Sequence, residues 1–121
     1  MLTILVLLKY KVYSKNIRKE VFKMVKWTQE QYATRLQEMK QEAHDKMWLY
    51  IELNAKEFME ECEPGIKNLT TCCKAMLDAM LEGDGFIVEP KSRSKVAGAL
   101  TVRYYVDNLH PGRRKYSEVN Q

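Results

Sequence analysis

An apolar stripe with helical spacing, closed at both ends, places the strongest constraint on this chain. Thr28 and Gln31 have the spacing of a capping box before the stripe, and Trp27 precedes it at a hydrophobic-staple position. Pro64-Gly65 ends it. The pattern predicts one amphipathic helix over residues 29–63, ~50 Å long. The members of the stripe recur three or four residues apart: Tyr32, Leu36, Met39, Ala43, Met47, Ile51, Ala55, Phe58 and Cys62.

A helix of that length cannot bury its stripe against the rest of one small chain. The 121 residues suffice for one domain, which we expect to span residues 24–121. We therefore predict that part of the helix packs on another copy. The protein would then be a homodimer or a higher oligomer held together through this helix.

A second helix is predicted from about Leu69 to Glu82, with Asn68 as a candidate cap and Gly83 as the terminator. Its apolar residues cover a wide arc, which predicts deeper burial than that of the first helix. Asp84-Gly85 follows as a turn.

The periodicity then changes to that of strands. Residues 86–89 form a short candidate strand, and residues 100–107 alternate apolar with polar side chains. A basic loop (91–98) joins them, and residues 115–119 are predicted as a return strand. The expected fold class is α+β, with a long N-terminal amphipathic helix, a second buried helix and a small C-terminal antiparallel sheet.

Residues 1–23 have two competing interpretations. Lys19–Met24 can be encoded by codons that contain AAGGAGGT, a ribosome-binding sequence of the Firmicute type, shortly before an ATG. This favours Met24 as the start and residues 1–23 as a non-native leader. The alternative is a disordered segment or a genuine edge strand, since side chains alternate over residues 6–13.

Targeting signals are not recognisable at the N-terminus. The apolar run Leu2–Leu8 is far shorter than the roughly 20 residues of a membrane span. Positive charge follows this run rather than preceding it, unlike in a signal peptide. We therefore expect neither a membrane nor secretion, and place the protein in the cytosol of a bacterial host.

The charge is small overall but unevenly divided. The net charge is +4 in a chain that is 45% hydrophobic and 30% charged, as in ordinary globular proteins. Acids are in excess over residues 24–84, and Lys and Arg are in excess over residues 85–121. An anion-binding surface is therefore expected in the C-terminal part. The alternative is that the acidic and basic parts of two copies attract each other.

No motif in the chain specifies a catalytic or metal centre. Three cysteines and two histidines do not have the spacing of a zinc site, and the cysteines are predicted to be reduced core residues. The acids of the first helix are typical of a solvated face. Because there is also no nucleophile motif or glycine-rich phosphate loop, we expect a protein without catalysis, metal or cofactor.

The strongest candidates for ligand binding lie on and around the main strand. Arginines 103, 113 and 114 would hold phosphates, and Phe86 or Tyr105 would stack a base. The alternative is that Arg103 pairs with an acid of a partner helix and Tyr105 covers a sheet edge. The full predicted site is Phe86, Arg93, Arg103, Tyr105, Asp107, Arg113 and Arg114.

Two stretches, Asn68–Asp84 and Leu100–Leu109, resemble small proteins of Firmicute phages and prophages, over about residues 28–119. The order of a long helix followed by a small sheet is also similar to the phage Thoeris anti-defence sponge proteins. Proteins of that family bind cyclic nucleotide immune signals at oligomer interfaces without cleaving them. The likeness to the sponge family is one of architecture, so no site residue is transferred from it.

These observations lead to one functional hypothesis and two alternatives. The hypothesis is a non-catalytic, phage-encoded anti-defence protein that sequesters a small anionic nucleotide, such as a cyclic one, at an oligomer interface. The first alternative is a protein inhibitor of a host defence nuclease such as a CRISPR effector. The second is a small DNA- or RNA-binding regulator that uses the basic clusters at 91–95 and 113–115.

Overall fold

A computed structural model describes residues 26–119, and the predicted α+β class is confirmed. Helices pack against one face of a three-stranded antiparallel sheet of order β1-β3-β2. The predicted leader or edge strand of residues 1–23 lies outside the described residues. In chain order the elements are α1 (Gln29–Asp45), β1 (Tyr50–Asn54), α2 (Ala55–Cys62), α3 (Leu69–Asp78), β2 (Gly85–Val88), β3 (Thr101–Tyr105) and α4 (Tyr116–Val119).

Helix α1 begins where the capping box predicts. The Thr28 hydroxyl accepts a hydrogen bond from Gln31 N at 3.2 Å, and Gln31 Oε1 accepts one from Thr28 N at 2.8 Å. The rings of Trp27 and Tyr32 lie 5.1 Å apart, as the staple requires. This start of the helix is therefore encoded locally.

The single helix predicted over residues 29–63 is wrong. Helix α1 ends at Asp45, Met47 takes a left-handed conformation (φ 64°), and the chain continues as β1. A new helix, α2, then starts at Asn54, whose Oδ1 accepts a hydrogen bond from Glu57 N at 3.0 Å. The break reverses the direction of the chain, so the residues of the stripe on both sides of it are buried or half-buried within one protomer, and Met47 at the break is exposed. The long helix on which the predicted oligomer depended does not exist.

The sheet has three strands, as predicted, but one of them differs, because β1 comes from the middle of the predicted long helix. Strand β1 pairs antiparallel with the central strand β3, with Tyr50 opposite Tyr105 and Glu52 opposite Arg103. On the inner face Tyr104 is buried, and its hydroxyl donates to Met76 O in α3 at 2.6 Å. The polar side chains that alternate with this buried set form the outer face of the sheet.

The predicted return strand at 115–119 is wrong as well. Tyr116–Val119 form one helical turn, and Lys115 N donates to Glu118 Oε1 at 3.0 Å, which stabilises the start of a helix rather than a strand. The Tyr116 N–Met80 O bond of 2.9 Å attaches this turn to the segment that follows α3.

Asn68 is the N-cap residue of α3, as predicted, but its side chain makes no capping hydrogen bond. Its Nδ2 instead donates to Trp27 O and to Glu63 Oε1, both at 2.9 Å. The buried Glu63 carboxylate also accepts from Trp27 N at 2.9 Å and from the Tyr32 hydroxyl at 2.5 Å. This network ties the segment before α1 to the loop between α2 and α3. Between residues 26 and 119, no helix combines the length and the apolarity that a membrane crossing requires.

Candidate binding surface

The outer sheet face is the surface formed by Tyr50, Glu52, Arg103 and Tyr105. The register of β1 on β3 places these four side chains together. Arg103 Nε and Nη2 donate to Glu52 Oε2 at 2.9 and 2.6 Å, and the guanidinium carbon lies 4.3 Å from the centre of the Tyr50 ring. The Tyr50 and Tyr105 rings meet edge to face at 5.6 Å. The result is a partly exposed array of one cation, one carboxylate and two phenols.

The predicted alternative for Arg103 therefore needs correction in one respect. Arg103 does pair with an acid, but that acid is Glu52 of the adjacent strand and not a residue of a partner helix. Hydrogen bonds with Glu52 and Tyr105 raise the pKa of Arg103, so its charge is permanent. Tyr105 covers no sheet edge, since β3 is the central strand.

An apolar knuckle, Met47-Trp48-Leu49, leads directly into the outer sheet face. Met47 is 90% exposed, Trp48 52% and Leu49 54%, and Lys46 Nζ lies 5.2 Å from the centre of the Trp48 ring. The left-handed Met47 turns the chain out of α1 and presents the following side chains to solvent. Three consecutive exposed apolar residues beside two tyrosines are more than the scattered apolar exposure of an ordinary surface.

Arg113 is next to Tyr105, but its side chain has a structural role. Its Nη2 donates to Asp84 Oδ1 at 2.7 Å, and its Nε donates to Glu82 O at 2.9 Å. Its Nη1 donates to the carbonyl oxygens of Tyr105 and Asn108, both at 2.9 Å. With its donors directed at these acceptors, Arg113 holds the segment after β3 against the turn before β2.

Three of the seven predicted residues do line one open pocket of about 350 Å³: Tyr105, Asp107 and Arg113. Glu82 joins them, so two carboxylates face the pocket, and Asp84 already neutralises Arg113. This charge balance does not favour an anion.

The remaining predicted residues are dispersed. Arg114 is exposed and pairs with Glu82 at 3.1 Å, which lowers the pKa of the Glu82 carboxyl. Phe86 is half-buried, with the Tyr116 ring edge-on at 5.9 Å. Arg93 is exposed in the basic loop. The structure therefore does not gather the seven residues into one site.

Sequence reasoning missed the β1 half of the surface: Trp48, Tyr50 and Glu52. The apolar stripe keeps its helical spacing through these positions, so the pattern predicts a helix there. Two signals could have revealed the strand. Trp48-Leu-Tyr-Ile51 is rich in residues that favour strands, and Asn54 stands three residues before Glu57, the spacing of a helix start.

Within residues 26–119, no group of histidine, cysteine and acidic side chains has the arrangement of a metal site. The three cysteines are free thiols, and burial raises the pKa of Cys62 and Cys72 to about 12. No protein-family model matches the chain, and neither a curated protein nor a solved structure matches it.

Proposed function

We propose that this chain is a non-catalytic binding protein and that its binding surface is the outer sheet face. The first candidate ligand is a small anionic nucleotide, for example a cyclic one. Its base would stack on Tyr50 or Tyr105, and its phosphate would take the Arg103 guanidinium. The observation that carries the proposal is the position of Arg103, at 4.3 Å from the Tyr50 ring and hydrogen-bonded to Glu52 on a partly exposed surface.

Arg103 and Arg113 differ in the free energy that is lost when a phosphate displaces the carboxylate partner. A partly exposed ion pair such as Arg103–Glu52 contributes little to stability, because water screens it, so a phosphate can displace the carboxylate at small cost. Breaking a buried pair such as Arg113–Asp84 costs about 3–5 kcal/mol. Stacking of a base on an aromatic ring contributes about 1–3 kcal/mol, which the two tyrosines can supply. Of these two arginines, Arg103 is therefore the one that a ligand can recruit.

The resemblance to phage proteins supports the biological setting of the proposal. A phage protein that binds a nucleotide immune signal in the host cytosol lowers the free concentration of that signal. Sequestration needs binding alone and uses no catalytic group. This is the anti-defence role that we propose.

The apolar knuckle favours a second candidate function, inhibition of a host defence protein such as a nuclease. Trp and Tyr are the residues that most often dominate protein–protein binding energy, and Trp48 and Tyr50 stand together at this surface. An inhibitor of this kind would bind a protein surface through Met47, Trp48 and Tyr50, without a nucleotide.

The test is a binding screen of the full chain against cyclic nucleotides and short oligonucleotides by thermal shift and calorimetry. Arg114→Ala is the matched control for Arg103→Ala, because both arginines are at least partly exposed and each pairs with one carboxylate. We expect a nucleotide to stabilise the wild type and Arg114→Ala, but not Arg103→Ala, and to be recovered chemically unchanged.

Other outcomes of the screen would favour one of the alternative functions. Binding of oligonucleotides that falls steeply with salt indicates a nucleic-acid regulator. An equal loss in both arginine variants contradicts the assignment of the outer sheet face. Absence of any ligand effect contradicts the nucleotide proposal and leaves the protein-inhibitor function.

A further inference from the structure

The two edges of the sheet are built differently. At the β2 edge a bulge between Phe86 and Val88 breaks the register with β3, and Pro90 follows the strand. Lys95 Nζ lies 5.9 Å from the centre of the Phe86 ring. Bulges, prolines and lysines are the devices by which proteins keep edge strands from pairing with other chains. Strand β1 has unbroken register over its five residues and contains none of the three.

The ladder between β1 and β3 identifies the main-chain groups that face outward. Val106 N donates to Leu49 O at 2.9 Å, and Ala55 N donates to Leu100 O at 2.8 Å. Hydrogen-bonded and non-hydrogen-bonded pairs alternate along an antiparallel ladder, so Tyr50 and Glu52 direct their N–H and C=O groups away from β3. Within the described part of the chain, no group bonds to the main chain of either residue.

The β1 edge carries partly exposed apolar side chains that a second strand could cover. Leu49 is 54% exposed, and Ile51 is only half-buried although it belongs to the inner face. Both lie at the open edge, next to the unpaired main-chain groups. An edge that is regular, free of bulges, prolines and lysines, and bordered by apolar side chains on its inner face is suited to pair with another strand.

We propose that β1 pairs antiparallel with β1 of a second copy of this chain, about a two-fold axis at Ile51. Tyr50 then lies opposite Glu52 of the second copy, and these residues exchange main-chain hydrogen bonds on both sides of the axis. Leu49 lies opposite Leu53 of the second copy and is covered. An axis at Glu52 would set two carboxylates directly opposite each other, which is destabilising.

This pairing joins two three-stranded sheets into one of six strands. It differs from the helix-mediated contact predicted from the sequence, because the interface is an edge strand. It also brings the two outer sheet faces side by side, with Tyr50 of each copy at the junction. The inference rests on the edge geometry and does not depend on the proposed ligand.

The test is the oligomeric state of the full chain, measured by sedimentation and light scattering over a micromolar concentration series. Leu49→Lys is the disrupting variant. Ile87→Lys is its matched control, because Ile87 is 46% exposed at the guarded β2 edge of the same sheet. We expect wild type and Ile87→Lys to dimerise and Leu49→Lys to weaken the dimer about tenfold or more.

Hydrogen exchange supplies a second readout that also checks folding. In the dimer, the amides of Tyr50 and Glu52 should gain protection as concentration rises, whereas those of Ile51 and Leu53 stay protected in every variant. A wild type that remains monomeric throughout the series overturns the proposal. So does an equal effect of the two lysine variants, or protection of Tyr50 and Glu52 that is independent of concentration.

Discussion

Arg113 and Asp84 form a buried ion pair, with Nη2 2.7 Å from Oδ1 and side chains that are 8% and 0% exposed. Asp84 Oδ1 also accepts from Tyr105 N, and Oδ2 accepts from Leu81 N, both at 2.8 Å. The pair therefore joins the turn before β2 to the end of β3. Its role is structural.

Arg113→Ala should lower the free energy of unfolding by about 3–5 kcal/mol, because it leaves the Asp84 carboxylate buried without its cation. Urea denaturation measures this loss. Arg114→Ala is the control and should leave the free energy of unfolding nearly unchanged, since its pair with Glu82 is exposed. Equal effects of the two variants would contradict the assigned role of Arg113.

Burial of Lys40 makes the free energy of unfolding depend on pH, and the sign of this dependence follows from the direction of the pKa shift. Burial lowers the pKa of Lys40 from 10.5 to about 8, although Asp84 partly opposes this shift. Above pH 8 the folded state releases this proton while the unfolded chain keeps it until about pH 10.5. The free energy of unfolding of the wild type, relative to that of Lys40→Met, should therefore rise between pH 8 and pH 10.5, by on the order of 3 kcal/mol.

Only the difference between wild type and Lys40→Met tests this prediction. The raised pKa values of Cys62 and Cys72 act in the opposite direction above about pH 9 in both proteins. The measurement is urea unfolding of the two proteins at pH 7, 9 and 10. If the difference in unfolding free energy between wild type and Lys40→Met does not change with pH, the burial of a charged Lys40 is contradicted.

Glu52→Gln should strengthen nucleotide binding if Arg103 is the phosphate ligand. The substitution removes the carboxylate that competes for the guanidinium while leaving its neighbours Tyr50 and Tyr105 in place. Calorimetry of wild type and Glu52→Gln with the same nucleotide measures the change. Glu82→Gln, which releases Arg114 instead, is the control and should leave affinity unchanged; weaker binding by Glu52→Gln would contradict the role of Arg103.

Thr28→Ala should destabilise the protein by about 1 kcal/mol, because it removes the capping bond to Gln31 N. Thr70→Ala, at an exposed helical position of α3, is the control. Thermal unfolding of the two variants compares them. A similar stability of both would show that the capping box is dispensable.

Local signals allowed part of this fold to be predicted. The capping box at Thr28 and the alternation around Tyr104 each depend on neighbouring residues, and both predictions are confirmed. The turn predicted at Asp84-Gly85 is wrong by two residues, because the turn lies at Glu82-Gly83 and Gly85 begins β2. Strand β1 was not predictable from spacing, because Ile51 satisfies both the helical stripe and the strand pattern. Pairing with β3 decides between the two, and such a contact is distant in sequence.

The candidate site was predicted less well than the fold. Arg103 and Tyr105 were expected side by side and are adjacent on β3. Whether an arginine is available to a ligand depends on its acid partner, and partners such as Asp84 for Arg113 come from other elements. Lys40 was missed for a related reason, because burial of a charged side chain is set by α3 and not by the sequence of α1.

The central claim is that the outer sheet face binds the ligand. The most direct measurement is an NMR titration of the full chain with the nucleotide that gives the largest thermal shift, following the backbone amides. We predict that the shift changes concentrate at Tyr50, Glu52, Arg103 and Tyr105. Changes confined to the pocket around Asp107 and Arg113, or no changes at all, would contradict it.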